Sequence, residues 1–386
     1  MAQTGKPRLA WAMLSHNKKH LLVSVTGIAF AVLLMFVEIG FLNGLLDSET
    51  LLAKQLNADL VMTNQKKSYT YALNPFPRER LARALEVDGV RQVQGFYMHW
   101  IQLKNTPGQK IHSIMALAYD TALPALLNPE AAALGNALKY PFTALFDRTS
   151  RKAVYGEFSP DMDVELEGHR VRLLSGFELY PNFSTDGHLL MDRDNLARLL
   201  AGNGSDNIVE TPEIGLIRLA PGADPVRVKQ ALEAHLQDDV RVLTKVQMIQ
   251  IIQDKWKSEQ PVVEVFGLGL AVGFVIGMII CYQILFTDIS DHSAEFATLK
   301  AIGYTNGYLI RTVMAQGAYL AMVSFGPGLL ASLAFYHILQ QITGIWMTIT
   351  FFRAGGIFLL TLVMCVVSAS LAARKVIRMD PAEVFG

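Results

Sequence analysis

Residues 265–286 read Val265-Phe-Gly-Leu-Gly-Leu-Ala-Val-Gly-Phe-Val-Ile-Gly-Met-Ile-Ile-Cys-Tyr-Gln-Ile-Leu-Phe286, with no charged side chain among them. A bilayer core about 30 Å thick takes roughly 20 helical residues at about 1.5 Å each. In lipid such a run must be helical, because no water is present to satisfy the backbone groups. This stretch therefore predicts a membrane span over 262–286, and three more runs meet the same test. Residues 21–43 carry one charge, Glu38. Residues 310–338 contain the kink signal Gly326-Pro327-Gly328, and 352–373 are uncharged from Ala354 to Ala373. Between the first and second spans lies 44–260, which is polar and mixed in composition. The fold class is a membrane α-helical protein with four transmembrane helices and a large extracytoplasmic α+β domain inserted between helices 1 and 2.

Side follows from where Lys and Arg collect near span ends. The segment 1–20 has Lys6, Arg8, Lys18 and Lys19, and the tail 374–386 has Arg374, Lys375 and Arg378, whereas the link 341–350 has neither type. Both termini and the loop 287–309 are thus expected in the cytoplasm, and 44–260 outside. Ala29-Phe30-Ala31 resembles a signal-peptide cleavage site, but the apolar run continues to Val37 and the leading polar segment is long, so a retained helix is expected.

The whole chain is 51% apolar with formal net charge +0, so no global field draws it to nucleic acid. Its two cysteines, Cys281 and Cys365, fall inside apolar runs and read as small core residues. The domain at 44–260 has none, so it relies on its own core. At each end its pattern gives a strand–helix–strand unit. The first is a strand at 59–62, a helix over 77–85 and strands near 90–93 and 97–103. The second is a strand over 214–219, a helix opened by Pro225 and a strand over 240–243. These ends are expected to pair into one subdomain around a less regular middle at about 120–210. The Tyr- and Pro-rich segment 69–77 reads as a loop. Asp161, Asp163, Glu165 and Glu167 alternate as a solvated strand face would. No histidine has ligand spacing and no serine sits in a GxSxG turn, so no catalytic, cofactor or metal site is read here.

Three features point to mechanism. Gly269, Gly273 and Gly277 lie on one helix face, where small residues let helices approach closely, within a subunit or between two. Glu38 lies about 7–8 Å from the outer end of span one at the helical rise. It reads either as a relay or substrate contact, or as an acid tolerated near the interface. In the loop, Phe296, Leu299, Ala301 and Ile302 give an apolar face opposite Asp288, Asp291, Glu295 and Lys300, on a helix expected to end at Gly303 and to dock on a cytoplasmic partner.

The segment Glu295-Phe-Ala-Thr-Leu-Lys-Ala-Ile-Gly303 resembles the E-x-x-x-L-K-A-[IL]-G loop of ABC-transporter permeases of the MacB/FtsX/LolC-E type, the type VII or mechanotransmission group. Arg374-Lys-Val-Ile-Arg-Met-Asp-Pro-Ala-Glu-Val384 is similar to their terminal D-P-x-[ED]-x-[LIV] ending. Leu9-Ala-Trp-Ala-Met-Leu-Ser15 and Leu56-Asn-Ala-Asp-Leu60 look most like the DevC branch. The order of one span, a large outer domain and three spans matches along essentially the whole chain.

The resemblance implies a permease dimer in the inner membrane with a MacB-like periplasmic domain. A separate ATPase subunit, which holds ATP and Mg, would bind the loop, with Glu295, Phe296, Leu299, Lys300, Ala301 and Gly303 as the coupling contact. No GxxxxGK[ST] occurs in this sequence, so the phosphate-cradling site is expected on another chain. The resemblance further implies a periplasmic membrane-fusion adaptor, a TolC-like outer-membrane duct, membrane lipids as surroundings, and export of a lipid or other hydrophobic substrate. It equally allows an FtsX-like signalling scaffold that regulates an outer partner without transporting anything. A membrane enzyme is the third reading and has no catalytic constellation behind it.

Overall fold

The computed structural model describes residues 6–104, 110–201, 208–259 and 261–378. The chain forms two compact units, one of residues 1–43, 262–339 and 347–386, the other of 44–261 and 340–346. The terminal Asp380–Val384 motif lies outside the described residues.

The first unit is a helical bundle. Its long apolar helices are Lys18–Glu49, Val262–Asp291, Asn306–Thr343 and Phe351–Arg378, and all four are long and apolar enough to cross a membrane. The hydrocarbon-length part of the first is 21–43, and its last turns, from Gly44 onward, belong to the other unit. The helix Asn306–Thr343 runs through Pro327 without a break. Buried apolar residues of all four helices form one core, among them Ile28, Met35, Leu285, Leu320, Met364 and Ala369. Both cysteines are buried in it. A short helix, Lys6–His16, precedes the bundle. Ala10 and Leu14, four positions apart, are its buried side, while Trp11 meets Tyr319 edge-on at 5.7 Å.

The second unit is a nine-stranded sheet with helices packed on it. Its strands are Leu60–Asn64 (β1), Val90–Lys104 (β2), Ile111–Tyr119 (β3), Thr143–Asp147 (β4), Met162–Leu166 (β5), His169–Phe177 (β6), His188–Asp192 (β7), Ile214–Leu219 (β8) and Val240–Thr244 (β9), in the order β3-β7-β4-β6-β5-β2-β8-β1-β9. The two ends of the domain do pair: β1 lies between β8 and β9, and β8 runs beside the first half of β2. The helix Pro225–His235 starts where the sequence puts it. Asp224 accepts from the Val226 amide at 3.0 Å, and Pro225 occupies the first turn, where its missing N–H costs nothing.

Two expectations are corrected and a third is sharpened. The strands read near 90–93 and 97–103 are one strand, which pairs with β8 through Phe96 and with β3 from Phe96 to Lys104. The middle is not irregular, for it holds β4 to β7. Every residue of β4 and β7 is buried, so neither shows the alternation that marks a half-buried strand. The 69–77 segment is a loop, as the sequence reads, but not a wholly solvated one. Tyr71 and Phe76 are buried, because the segment closes over two separate parts of the domain core.

Candidate coupling site

The loop between the second and third spans contains one helix, Ser293–Ala301. It ends on Gly303 at φ +103°, a conformation costly for any residue with a Cβ. The Gly303 amide donates to Lys300 O and the Tyr304 amide to Leu299 O, both at 3.0 Å, which together form a Schellman motif. Gly303→Ala is expected to cost about 1–2 kcal/mol of local stability, the ordinary left-handed penalty. Hydrogen exchange over residues 299–304 would report it, and unchanged rates would remove the role given to this glycine.

The helix presents its residues differently from the sequence expectation. Phe296 and Ala297 are buried and Leu299 packs against the bundle core, so the apolar stripe is largely spent inside the protein. Lys300 Nζ donates to Ile377 O at 2.9 Å, tying the helix to the last long helix. What faces outward is Glu295, Thr298, Ala301, Gly303 and Ile302, the last 71% exposed. Asp288, expected on a solvated face, is buried instead. The second long helix continues to Asp291, which turns Asp288 toward the third, where Gln316 Nε2 donates to it at 3.1 Å. His292 Nδ1 donates to the Asp288 carbonyl at 2.9 Å. This buried polar clasp holds the start of the loop, and nothing in the one-dimensional pattern distinguished Asp288 from Asp291.

The membrane features converge. A Cβ on Gly269 would come within 2.4 Å of the Glu38 carboxyl carbon, one on Gly273 within 3.5–3.7 Å of Leu34 and Met35, and one on Gly277 within 2.4 Å of Met364 Sδ in the fourth long helix and 2.7 Å of Ala31. The glycine face thus receives the first long helix of the same chain, and Glu38 lies in the space that Gly269 leaves. Phe41 and Phe266 stack beside them at 5.9 Å.

In the sheet unit, the loop 178–187 gathers the chain segments that lead toward the spans. Ser184 donates to Glu49 from its amide (3.0 Å) and its hydroxyl (2.9 Å). Arg151 Nε donates to Thr343 O at 3.0 Å, and Tyr180 meets Trp346 edge-on at 4.6 Å. A Cβ on Gly344 (φ +71°) would press on Pro181 at 2.7 Å. Trp256, in the helix Lys245–Glu259, packs against the same core. Burial raises Glu49 to about 7, outweighing the lowering effect of its Ser184 hydrogen bonds. Next to it, His188 bridges Tyr71 Oη (2.9 Å) and Asp147 Oδ2 (3.1 Å). Asp147 also accepts from the Thr149 and Leu179 amides. The three side chains are buried, so this relay locks β4, β7 and the 69–77 segment together rather than meeting a substrate. Asp163, in turn, pairs with Arg170 and Arg172, and Glu165 with Lys104.

Residues 267–381 match the protein family described as FtsX-like permease C-terminal. This part of the chain is similar to an FtsX-like permease domain. The match takes in the loop helix, the Asp288 clasp and the glycines facing the first span. Among solved structures, the chain is similar to the periplasmic region of MacB from Actinobacillus actinomycetemcomitans (TM-score 0.36, 10% identity, 52% of this chain and 94% of that one). It is also similar to the extracellular domain of the noncanonic ABC-type transporter YknZ from Gram-positive bacteria (0.32, 10%, 48% and 99%). A third is a domain of a putative permease protein from Porphyromonas gingivalis (0.31, 16%, 50% and 95%). No curated protein sequence matches significantly. The matched region includes three of the four helices long and apolar enough to cross a membrane, and the α/β sheet domain lies in sequence between the first and second of those four.

Proposed function

We propose that the chain is the permease subunit of an ATP-driven mechanotransmission complex in the inner membrane, working as a pair of copies with a separate ATPase subunit. The observation that carries this reading is the loop helix within the FtsX-like domain. Its inner side is anchored by Phe296, Leu299 and Lys300, and its outer side leaves Glu295, Ala301, Ile302 and Gly303 for a partner. A helix held on one side transmits displacement into the long helices it is fixed to. The ATP and Mg site belongs to the partner, since this sequence has no phosphate-cradling glycine loop.

In this reading motion reaches the sheet unit through three segments that pack within it: 44–56, 245–259 and 340–346. That 340–346 belongs to this unit supports the topology in which the link between spans three and four and the inserted domain share the outer side, with both termini and the loop helix cytoplasmic. The substrate class we favour is a lipid or other hydrophobic molecule, passed to a periplasmic adaptor and an outer-membrane duct. In support, several hydroxyls buried in the bundle are spent on backbone carbonyls: Ser24 donates to His20 O, Ser332 to Gly328 O, Thr361 to Ile357 O and Ser368 to Met278 O. They therefore line no aqueous path.

The test is co-purification with the candidate ATPase and measurement of stimulated turnover. Glu295→Lys or Ile302→Asp is expected to remove on the order of 1–2 kcal/mol of interface energy, about tenfold in association. Stimulation that survives both substitutions would overturn the assignment.

A further inference from the structure

Near the end of the bundle that carries the loop helix, a groove of about 590 Å³ runs between the second and fourth long helices. Ile279, Tyr282 and Phe286 form one wall and Leu371 the other, and the groove ends at Arg374 and Lys375. The walls are side chains that the bundle core leaves uncovered: Ile279, Phe286 and Leu371 are all exposed. From Met278 to Phe286 the groove follows the helix for eight rises of about 1.5 Å, about 12 Å in all, close to the roughly 15 Å depth of one leaflet's hydrocarbon. Arg374 and Lys375 lie just past the uncharged stretch Ala354–Ala373, at the level where a bilayer carries its phosphates.

The two cations define the occupant. Among the described residues neither has a carboxylate partner. Lys375 donates to the Ser290 hydroxyl and lies 3.8 Å from the Phe286 ring centroid, both neutral contacts. A phosphate offers charge-assisted bonds, which are roughly twice as strong as neutral ones. We propose that this groove binds one anionic glycerophospholipid, with an acyl chain along Ile279, Tyr282 and Leu371 and its phosphate held by Arg374 and Lys375. The apolar trough selects a lipid over a soluble phosphate, and the paired cations select an anionic headgroup over a zwitterionic one. The site is built wholly from the helical bundle and is independent of what the complex exports or signals.

The experiment is native mass spectrometry of the full-length chain released from mild detergent, titrated with phosphatidylglycerol, phosphatidylcholine or inorganic phosphate. One phosphatidylglycerol per chain is expected to be retained in preference to phosphatidylcholine, with no retention of free phosphate. At about 1 kcal/mol per basic residue near the surface, the double variant Arg374→Gln/Lys375→Gln should bind phosphatidylglycerol about 30-fold more weakly. Leu371→Trp, which fills the trough and keeps both charges, should also displace the lipid. Circular dichroism checks that each variant is folded, and if Leu371→Trp is not, the charge variant decides alone. Equal retention of the two lipids, or unchanged phosphatidylglycerol retention in the folded charge variant, overturns the proposal. So does an Ile279→Cys disulfide between copies that phosphatidylglycerol leaves undiminished, because a second copy would then fill the groove.

Discussion

Glu213→Ala is expected to lower the stability of the outer domain by about 3–5 kcal/mol, the usual cost of breaking a buried ion pair from one side. Lys67 and Glu213 are separated by most of the domain sequence, yet Lys67 Nζ lies 3.2 Å from Glu213 Oε2 with both side chains at most 5% exposed. Burial pushes the Lys67 ammonium down from its ordinary range and the Glu213 carboxyl up, and each is opposed by the other's charge. Glu213 also accepts from the Asn74 amide at 2.8 Å, and Lys67 donates to Ala72 O. The pair therefore closes the 69–77 segment onto the strand that follows Glu213. Removing the carboxylate leaves an ammonium that must be neutralised or hydrated inside the core. For a domain of this size about 2–4 °C accompanies each kcal/mol, so thermal unfolding should fall by about 10 °C. The double variant Lys67→Met/Glu213→Leu should recover most of that loss, because it leaves no uncompensated charge. A single variant that melts with the parent would mean that water reaches the pair in solution.

Glu49 should make the same domain less stable as pH rises. Its carboxyl is raised by burial from an ordinary 4.5 to about 7. The folded state therefore holds this proton more tightly than the unfolded one. The sign follows directly: the contribution is fully present below about pH 4.5 and is lost as pH climbs through about 7. Over that window it amounts to on the order of 3 kcal/mol, at 1.36 kcal/mol per pH unit. Glu49→Gln keeps the shape and a hydrogen-bonding group for Ser184 but cannot ionise. Denaturant unfolding of the full chain at pH 5 and pH 7.5 should show a steeper loss in the parent than in the Gln variant. Identical slopes would exclude Glu49 as the source. The position matters because Glu49 sits six residues past the end of the first span, where 44–56 enters the domain.

Much of this protein was legible in one dimension, and for one reason. A membrane span is defined by the mean apolarity of about 20 consecutive residues, so 265–286 could be read without knowing its neighbours. Local chemistry was also readable where it closes within a few positions. Gly303 ends the loop helix because only residues 299–304 take part in its motif, and Asp224 caps a helix two residues away. On the loop helix the sequence marks Glu295, Ala301 and Gly303, and the structure leaves all three exposed. Phe296 was identified as part of the motif, but the sequence could not show that its side chain is used up inside the bundle.

What only the tertiary structure decided depends on residues distant in the chain. Asp288 and Asp291 lie three positions apart in one short segment, and the difference is that Gln316 Nε2 lies 3.1 Å from the first of them. Gly269 and Glu38 were two separate signals until packing made one the space for the other. β4 and β7 carried no alternating pattern, because burial of every residue erases it. The tie between Lys67 and Glu213, the meeting of Glu49 with Ser184, and the docking of Thr343 on Arg151 link positions from 135 to 192 residues apart. Hydropathy is summed along a segment and survives in the sequence, whereas a hydrogen bond or an ion pair acts over about 3 Å and exists only once the fold has brought its two ends together.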